Sequence, residues 1–183
     1  MTPPYAIRLP KTIEADPRAD LLVTMLGEPI QRSWADGTLN LPEAQLSDGL
    51  RNALHTALRA GRMVRSLEKA ETLLKAEDRG LRMADRKSGA SRGGRLSRLL
   101  ILSADGSERF YRQVASLLKR YEPRVAAVCV TMDARELGRM LFGAEASVRL
   151  VMIDHKETVG AVLLALAEQW ALSQNSGTTA SCP

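Results

Sequence analysis

Of the chain's 183 residues, 45% are hydrophobic but only 4% aromatic, which suffices for one domain with extensions and requires a largely aliphatic core. The formal charge of +5 makes polyanions the first class of partner to consider. No apolar run approaches the roughly 18 residues that span a bilayer, and the N-terminus lacks the apolar stretch of a secretory signal. Two cysteines, Cys129 within an apolar run and Cys182 near the end, do not make a disulfide framework. The expectation is a cytoplasmic protein with no membrane partner.

Residues 1–41 predict an irregular N-terminal extension, because prolines at positions 3, 4, 10, 17 and 29 prevent one long helix. Within it, residues 20–26 (DLLVTML) suit either a short helix or a buried strand, and Asp36-Gly37 between two partly alternating runs suggests a hairpin over 29–41. From residue 42 the pattern becomes regular. Leu46, Leu50, Leu54 and Leu58, with Ala53 and Ala57 beside them, form the apolar stripe of an amphipathic helix that ends near Gly61.

The stretch that follows, RAGRMVRSLEKAETLLK over 59–75, reads as a helix end, a tight turn and a new helix. Gly61 lets the chain bend. Ser66 is a good N-cap, since its hydroxyl can accept from an otherwise unpaired backbone N–H of the helix predicted over 66–76. Helix N-termini gather such N–H groups and a partial positive charge, so with Arg59, Arg62 and Arg65 nearby the turn makes a candidate phosphate-binding corner.

Residues 77–98 are rich in Gly, Ser and Arg and poor in large apolar side chains; beyond Asp78 they carry Arg79, Arg82, Arg86, Lys87, Arg92, Arg95 and Arg98 against Asp85 alone. Such a composition buries too little to offset ordering its backbone, at about 1–2 kcal/mol per residue, and predicts a mobile basic loop. Three unbroken aliphatic runs, 99–102 (LLIL), 125–130 (VAAVCV) and 148–153 (VRLVMI), then predict buried neighbouring strands. Helices are predicted between and after them: Phe110, Val114, Leu117 and Tyr121 mark one, Asp133 and Glu136 in capping-box spacing open the next, and Val159 to Trp170 mark the last. The fold class is therefore α/β, a three-layer α/β/α sandwich with a small mixed sheet over 42–172, followed by a small, polar tail, 173–183, expected to be disordered.

Four pieces in this order, LHTALRAGRMVRSLEKAETLLKA, RLLILSADGSE, VTMDARELGRMLFG and VRLVMID, resemble the kink-turn RNA-binding ribosomal-protein superfamily, the family of the archaeal protein seven-Ae and the eukaryotic protein thirty-e. The nearest likeness is to its bacterial YlxQ-like branch, through Arg59-Ala60-Gly61, Glu68-Lys69, Ala104-Asp105-Gly106 and Glu136-Leu137-Gly138, and it covers roughly residues 47–170. The resemblance implies that the corner and the loop after the Glu-Leu-Gly helix lie side by side and clasp a sharply bent RNA. By position it implicates Gly61, Arg62, Arg65, Ser66, Glu68 and Lys69, with Gly143, Ala144, Ser147 and Val148 opposite. Arg65-Ser66-Leu67 stands where the family has a Gly-containing pair.

The function expected is recognition of structured, bent or kinked RNA, ribosomal or another non-coding RNA, in association with ribosomes or translation. Arg86, Lys87, Arg92 and Arg95 of the basic segment are candidate accessory contacts. The alternative is a protein-interaction module that keeps the fold and has lost the RNA site. Enzymatic motifs are missing: no nucleophile elbow, dinucleotide fingerprint or phosphate loop is present, and neither His55 nor His155 has a Cys or second His at ligand spacing. Asp105 and Asp133 are better explained as helix N-caps than as an acid–base pair. No cofactor, metal or catalytic activity is expected.

Overall fold

The computed structural model describes residues 8–27, 30–34, 37–89 and 94–176. The elements, in chain order, are α1 (Ala19–Gly27), β1 (Ile30–Trp34), β2 (Gly37–Leu41), β3 (Glu43–Ala44), α2 (Asp48–Arg59), β4 (Met63–Arg65), α3 (Leu67–Ser88), β5 (Arg98–Leu102), α4 (Glu108–Tyr121), β6 (Val125–Val130), α5 (Ala134–Phe142), β7 (Leu150–Ile153) and α6 (Lys156–Ser176). The aliphatic runs form the middle of a five-stranded sheet of order β3-β6-β5-β7-β4. β3, β6 and β5 are mutually parallel, while β7 runs antiparallel to both β5 and β4.

Strand side chains alternate between faces, and both faces are buried. Leu99, Ile101, Val128, Val130, Val151 and Ile153 meet Leu50 and Leu54 of α2, Leu137 and Leu141 of α5, and Val159, Val162, Leu163 and Leu166 of α6. Their neighbours Leu100, Leu102, Val125, Ala127, Cys129, Leu150 and Met152 meet Ala70 and Leu74 of α3 and Val114, Leu117 and Tyr121 of α4. This is the three-layer α/β sandwich that the unbroken runs predict. The third run is shorter as a strand than as a sequence pattern: β7 begins at Leu150, and Val148 precedes it as a buried loop residue.

The N-terminal region is built into this domain and does not hang from it. Leu9, Ile13, Leu22, Met25 and Leu26 belong to the same core as α2 and α6. Arg18 binds Asp16 and reaches Glu168 of α6; its hydrogen bonds hold the Asp16 carboxyl down to about 2. The hairpin suggested over 29–41 is present as β1 and β2, with Trp34 opposite Gly37, so Gly37 opens the second strand; residues 35 and 36 lie outside the described residues. Leu39 and Leu41 of β2 pack with α4 and the underside of the sheet.

The basic segment requires the largest correction. Residues 77–88 are not a loop: α3 continues to Ser88 and is stopped by Gly89, whose φ of 65° places it in the left-handed region that glycine tolerates. Composition missed what holds this half. Glu77 accepts from both Arg98 and Arg124, all three partly buried, and Arg82 pairs with Asp78 one turn away. Beyond residues 90–93, which lie outside the described residues, Leu96 is buried and its N–H donates to Arg8 O at 2.8 Å. α6 likewise runs on to Ser176, into the expected tail, and only 177–183, Cys182 included, lie outside the described residues. Among the described residues no helix is long and apolar enough to cross a membrane.

Ile101, in the central strand β5, is fully buried, whereas Val23 on α1 is 40% exposed. Ile101→Ala is expected to cost about 2–5 kcal/mol, and Val23→Ala to stay within about 0.5 kcal/mol of wild type, in urea unfolding followed by circular dichroism.

Candidate nucleic-acid interface

β4 is only three residues long, yet it fixes the site. It pairs with β7 through Met63↔Ile153, Val64↔Met152 and Arg65↔Val151, and at its end Ser66 N–H donates to Leu150 O at 3.2 Å. The chain must then leave the sheet edge and enter α3 at once. It does so through Ser66, at φ 88° and ψ 147°, alone among the described non-glycine residues in having a positive φ. That conformation belongs almost wholly to glycine and costs a residue with a side chain of the order of 1–3 kcal/mol. The Ser66 hydroxyl offsets part of it by capping α3, accepting from Lys69 N–H at 3.4 Å.

Across from this corner lies the segment between α5 and β7. Gly143, at φ 102°, ends α5, and its carbonyl accepts from Ala146 N–H at 3.0 Å. Val148 N–H donates to Ala134 O at 2.7 Å, tying the loop back to the start of α5. Gly138 permits that closeness: a Cβ there would lie 2.3 Å from Ala146 O. Arg65 bridges the two segments, donating to Ser147 O at 3.3 Å while its guanidinium stacks 5.0 Å from the centre of the Phe142 ring.

Between corner and loop is an open cleft of about 530 Å³. It sits outside the carboxyl ends of β4 and β5, where open α/β sheets place their ligands. Arg65, Ser66 and Glu68 line one wall, Ser147, Val148 and Arg149 the other, and α4 closes the end with Phe110, Gln113, Ser116 and Arg120. Three guanidiniums therefore face two carboxylates, Glu68 and Glu71, and Glu71 is already held by Lys75 at 3.0 Å and Arg120 at 3.2 Å. With the N-terminal end of α3 opening on the same space, the cleft favours an anion.

Of the residues implicated from sequence, Arg65, Ser66, Glu68, Ser147 and Val148 come together here. Gly61 and Arg62 do not. They stop α2, with Gly61 N–H donating to Leu58 O and Arg62 N–H to Ala57 O, and Arg62 O accepts from Asp154 N–H at the other end of the β4–β7 pair, away from the cleft. The three residues of β4 separate Arg62 from Ser66, a span of roughly 13 Å in extended chain. Lys69 contributes its backbone N–H to the cap, but its side chain lines a shallow depression beside Val64 and Leu73, outside the cleft. Gly143 and Ala144 are exposed and shape the loop without lining the cleft. Of the accessory candidates, Arg86 and Lys87 are exposed in the last turn of α3, Arg92 lies outside the described residues, and Arg95 is bound to Glu14 and to Leu9 O.

Sequence reasoning missed Arg149, Arg120, Gln113 and Ser116. The last three had a readable signal, spaced 3 and 4 apart on the face of α4 flanking its apolar stripe. Asp105 also differs from expectation. Ser107 caps α4, and Asp105 instead accepts from Ala134 N–H at 2.9 Å, so it holds the first turn of α5 beside that helix's own cap, Asp133. Nearby, on the far side of α4, Tyr111 and Cys129 are buried; burial pushes both pKa values up, which suits packing and not reactivity. Among the described residues no three His, Cys, Asp or Glu side chains come together as a metal set.

No protein-family model and no curated protein matches the chain. Solved structures do match, among them a protein with unknown function from Bacillus halodurans C, 20% identical, with a TM-score of 0.42 over 67% of this chain and 99% of that one. A likeness of that size carries no argument about what this chain does.

Two substitutions test the corner and the loop. Ser66→Ala keeps the backbone strain and loses the cap, so it is expected to destabilise by about 1 kcal/mol, whereas Ser66→Gly relieves the strain and is expected to raise stability by about 1 kcal/mol. Thermal unfolding should therefore rank Gly above Ser above Ala. Gly138→Ala forces its Cβ against loop backbone and is expected to cost about 1–3 kcal/mol, with amide shifts concentrated in residues 143–149.

Proposed function

We propose that the chain is an RNA-binding protein that clasps structured, bent RNA in the cleft between the Ser66 corner and the 143–149 loop, in a ribosome- or translation-associated role. The observation that carries this reading is the joining of two segments some eighty residues apart in sequence into one basic cleft, with Arg65 bonded across it to Ser147 O at 3.3 Å. A straight duplex is too broad and rigid to enter such a recess, whereas a kinked strand presents phosphates and unstacked base edges together.

In this reading Arg65, Arg120 and Arg149 meet phosphates, joined by the N–H groups at the start of α3. Glu68 has a separate role. A carboxylate beside phosphates is repelled unless it accepts from a base, and cytosine N4 or a guanine edge supplies such a donor. Ser66 in place of glycine narrows the approach to the corner, so recognition rests more on side chains than on close backbone contact.

The test is binding to a bulged RNA hairpin and to a straight duplex over a salt series. Arg65→Ala combined with Arg149→Ala should flatten the log–log salt slope by roughly 1.4–1.8, about 0.7 to 0.9 for each lost phosphate contact, with little loss of stability because both side chains are exposed. Glu68→Gln should change the ratio of the two affinities more than their mean. If the double mutant binds both RNAs like wild type, the cleft is not the site, and a protein-interaction module becomes the better description.

A further inference from the structure

α3 is twice as long as a phosphate corner needs, and its exposed far half is ordered. Lys75, Arg79, Arg82 and Arg86 are spaced 4, 3 and 4 apart, so they stand in one row along the helix, about 16 Å from first to last. The row forms one wall of a second groove, of about 460 Å³, closed where α4 ends at Arg120 and Tyr121. Arg120 lines both this groove and the cleft, so the two adjoin at that residue. Acids are few on this path: Asp78 is paired with Arg82 at 2.8 Å, and Glu71 with Lys75 and Arg120. Among the arginines stands Met83, which is 55% exposed.

We propose that this groove carries a single-stranded segment flanking the RNA seated in the cleft, its phosphates on Arg79, Arg82 and Arg86 and its bases against Met83 and the guanidinium planes. The proposal rests on the cleft being an RNA site and extends it. Lys75 and Arg82 are paired with acids, so the net positive charge of the row sits at Arg79 and Arg86, one on each side of Arg82; they offer it to a polyanionic strand, and guanidinium planes accept unstacked bases. The soft, flexible thioether of Met83 adapts to whichever base lies on it.

The test compares a bulged RNA hairpin with the same hairpin bearing an oligo-uridine tail, using the full chain and its Arg79→Gln/Arg86→Gln variant. Both positions are exposed, and glutamine keeps helix propensity close to arginine's, so the fold should persist; the melting curve checks this. With wild type, the tail should steepen the salt slope by roughly 1.4–2.1, as two to three further phosphates are neutralised. The variant, which keeps Arg82, should lose at least two-thirds of that increment and bind the tailless hairpin as wild type does. If the hairpin binds and the tail adds no slope, or the increment survives in the variant, the groove proposal falls while the cleft stands. If neither RNA binds, both fall. Removal of the tail's increment by oligoglutamate at matched ionic strength would assign the groove to an acidic protein segment and overturn its assignment to RNA.

Discussion

The backbone at Ser66 is the constraint on which the candidate site depends. β4 must lie on β7 to complete the sheet edge, and α3 must pack Ala70 and Leu74 beneath that sheet. Between the last paired residue, Arg65, and the first helical one, Leu67, a single residue is left to turn the chain. Ser66 accepts a positive φ to do it, held by its N–H on Leu150 O and its hydroxyl on Lys69 N–H. The burial of α3 supplies the stabilisation that keeps the strained residue in place. One consequence is that Arg65 is aimed across the sheet edge at the loop before β7; another is that the first residues of α3, Leu67 and Glu68, line the cleft.

The opposite wall is fixed by independent means. Gly138 brings the loop backbone down onto α5, Val148 is buried, and Asp105 and Asp133 together anchor the first turn of that helix. Two rigid walls meeting through one arginine make a preformed recess, which lowers the conformational cost of binding there.

Much of the fold was legible because the core strands are unbroken aliphatic runs, and a strand covered on both faces has no polar side to disguise it. The capping box at Asp133, the cap at Ser66 and the stripe of α2 were equally plain, since each rests on local chemistry. β3 and β4 were not legible. At two and three residues they carry no periodicity, and they exist only because β6 and β7 offer free edges. The far half of α3 was misread because its composition suggests a solvated loop, while the interaction that secures it, Glu77 with Arg98 and Arg124, links residues 21 and 47 positions apart. The site was legible in part. Arg65, Ser66, Glu68, Ser147 and Val148 were placed together, but Arg62 was lost to the other end of β4 because that strand is extended, and Arg120 emerged only once α4 was packed beside α3.

The central claim is that RNA occupies the cleft between the Ser66 corner and the 143–149 loop. A backbone-amide NMR titration of the chain with a bulged RNA hairpin tests it most directly, because it reports both walls of the cleft and the far helical layer at once. The account predicts the largest shifts at Ser66, Leu67, Glu68, Ser147 and Arg149, with α1, α2 and α6 on the far layer unchanged. Shifts confined to the α1–α2–α6 layer, or none at hairpin concentrations that saturate the protein's fluorescence or gel-shift signal, would contradict it.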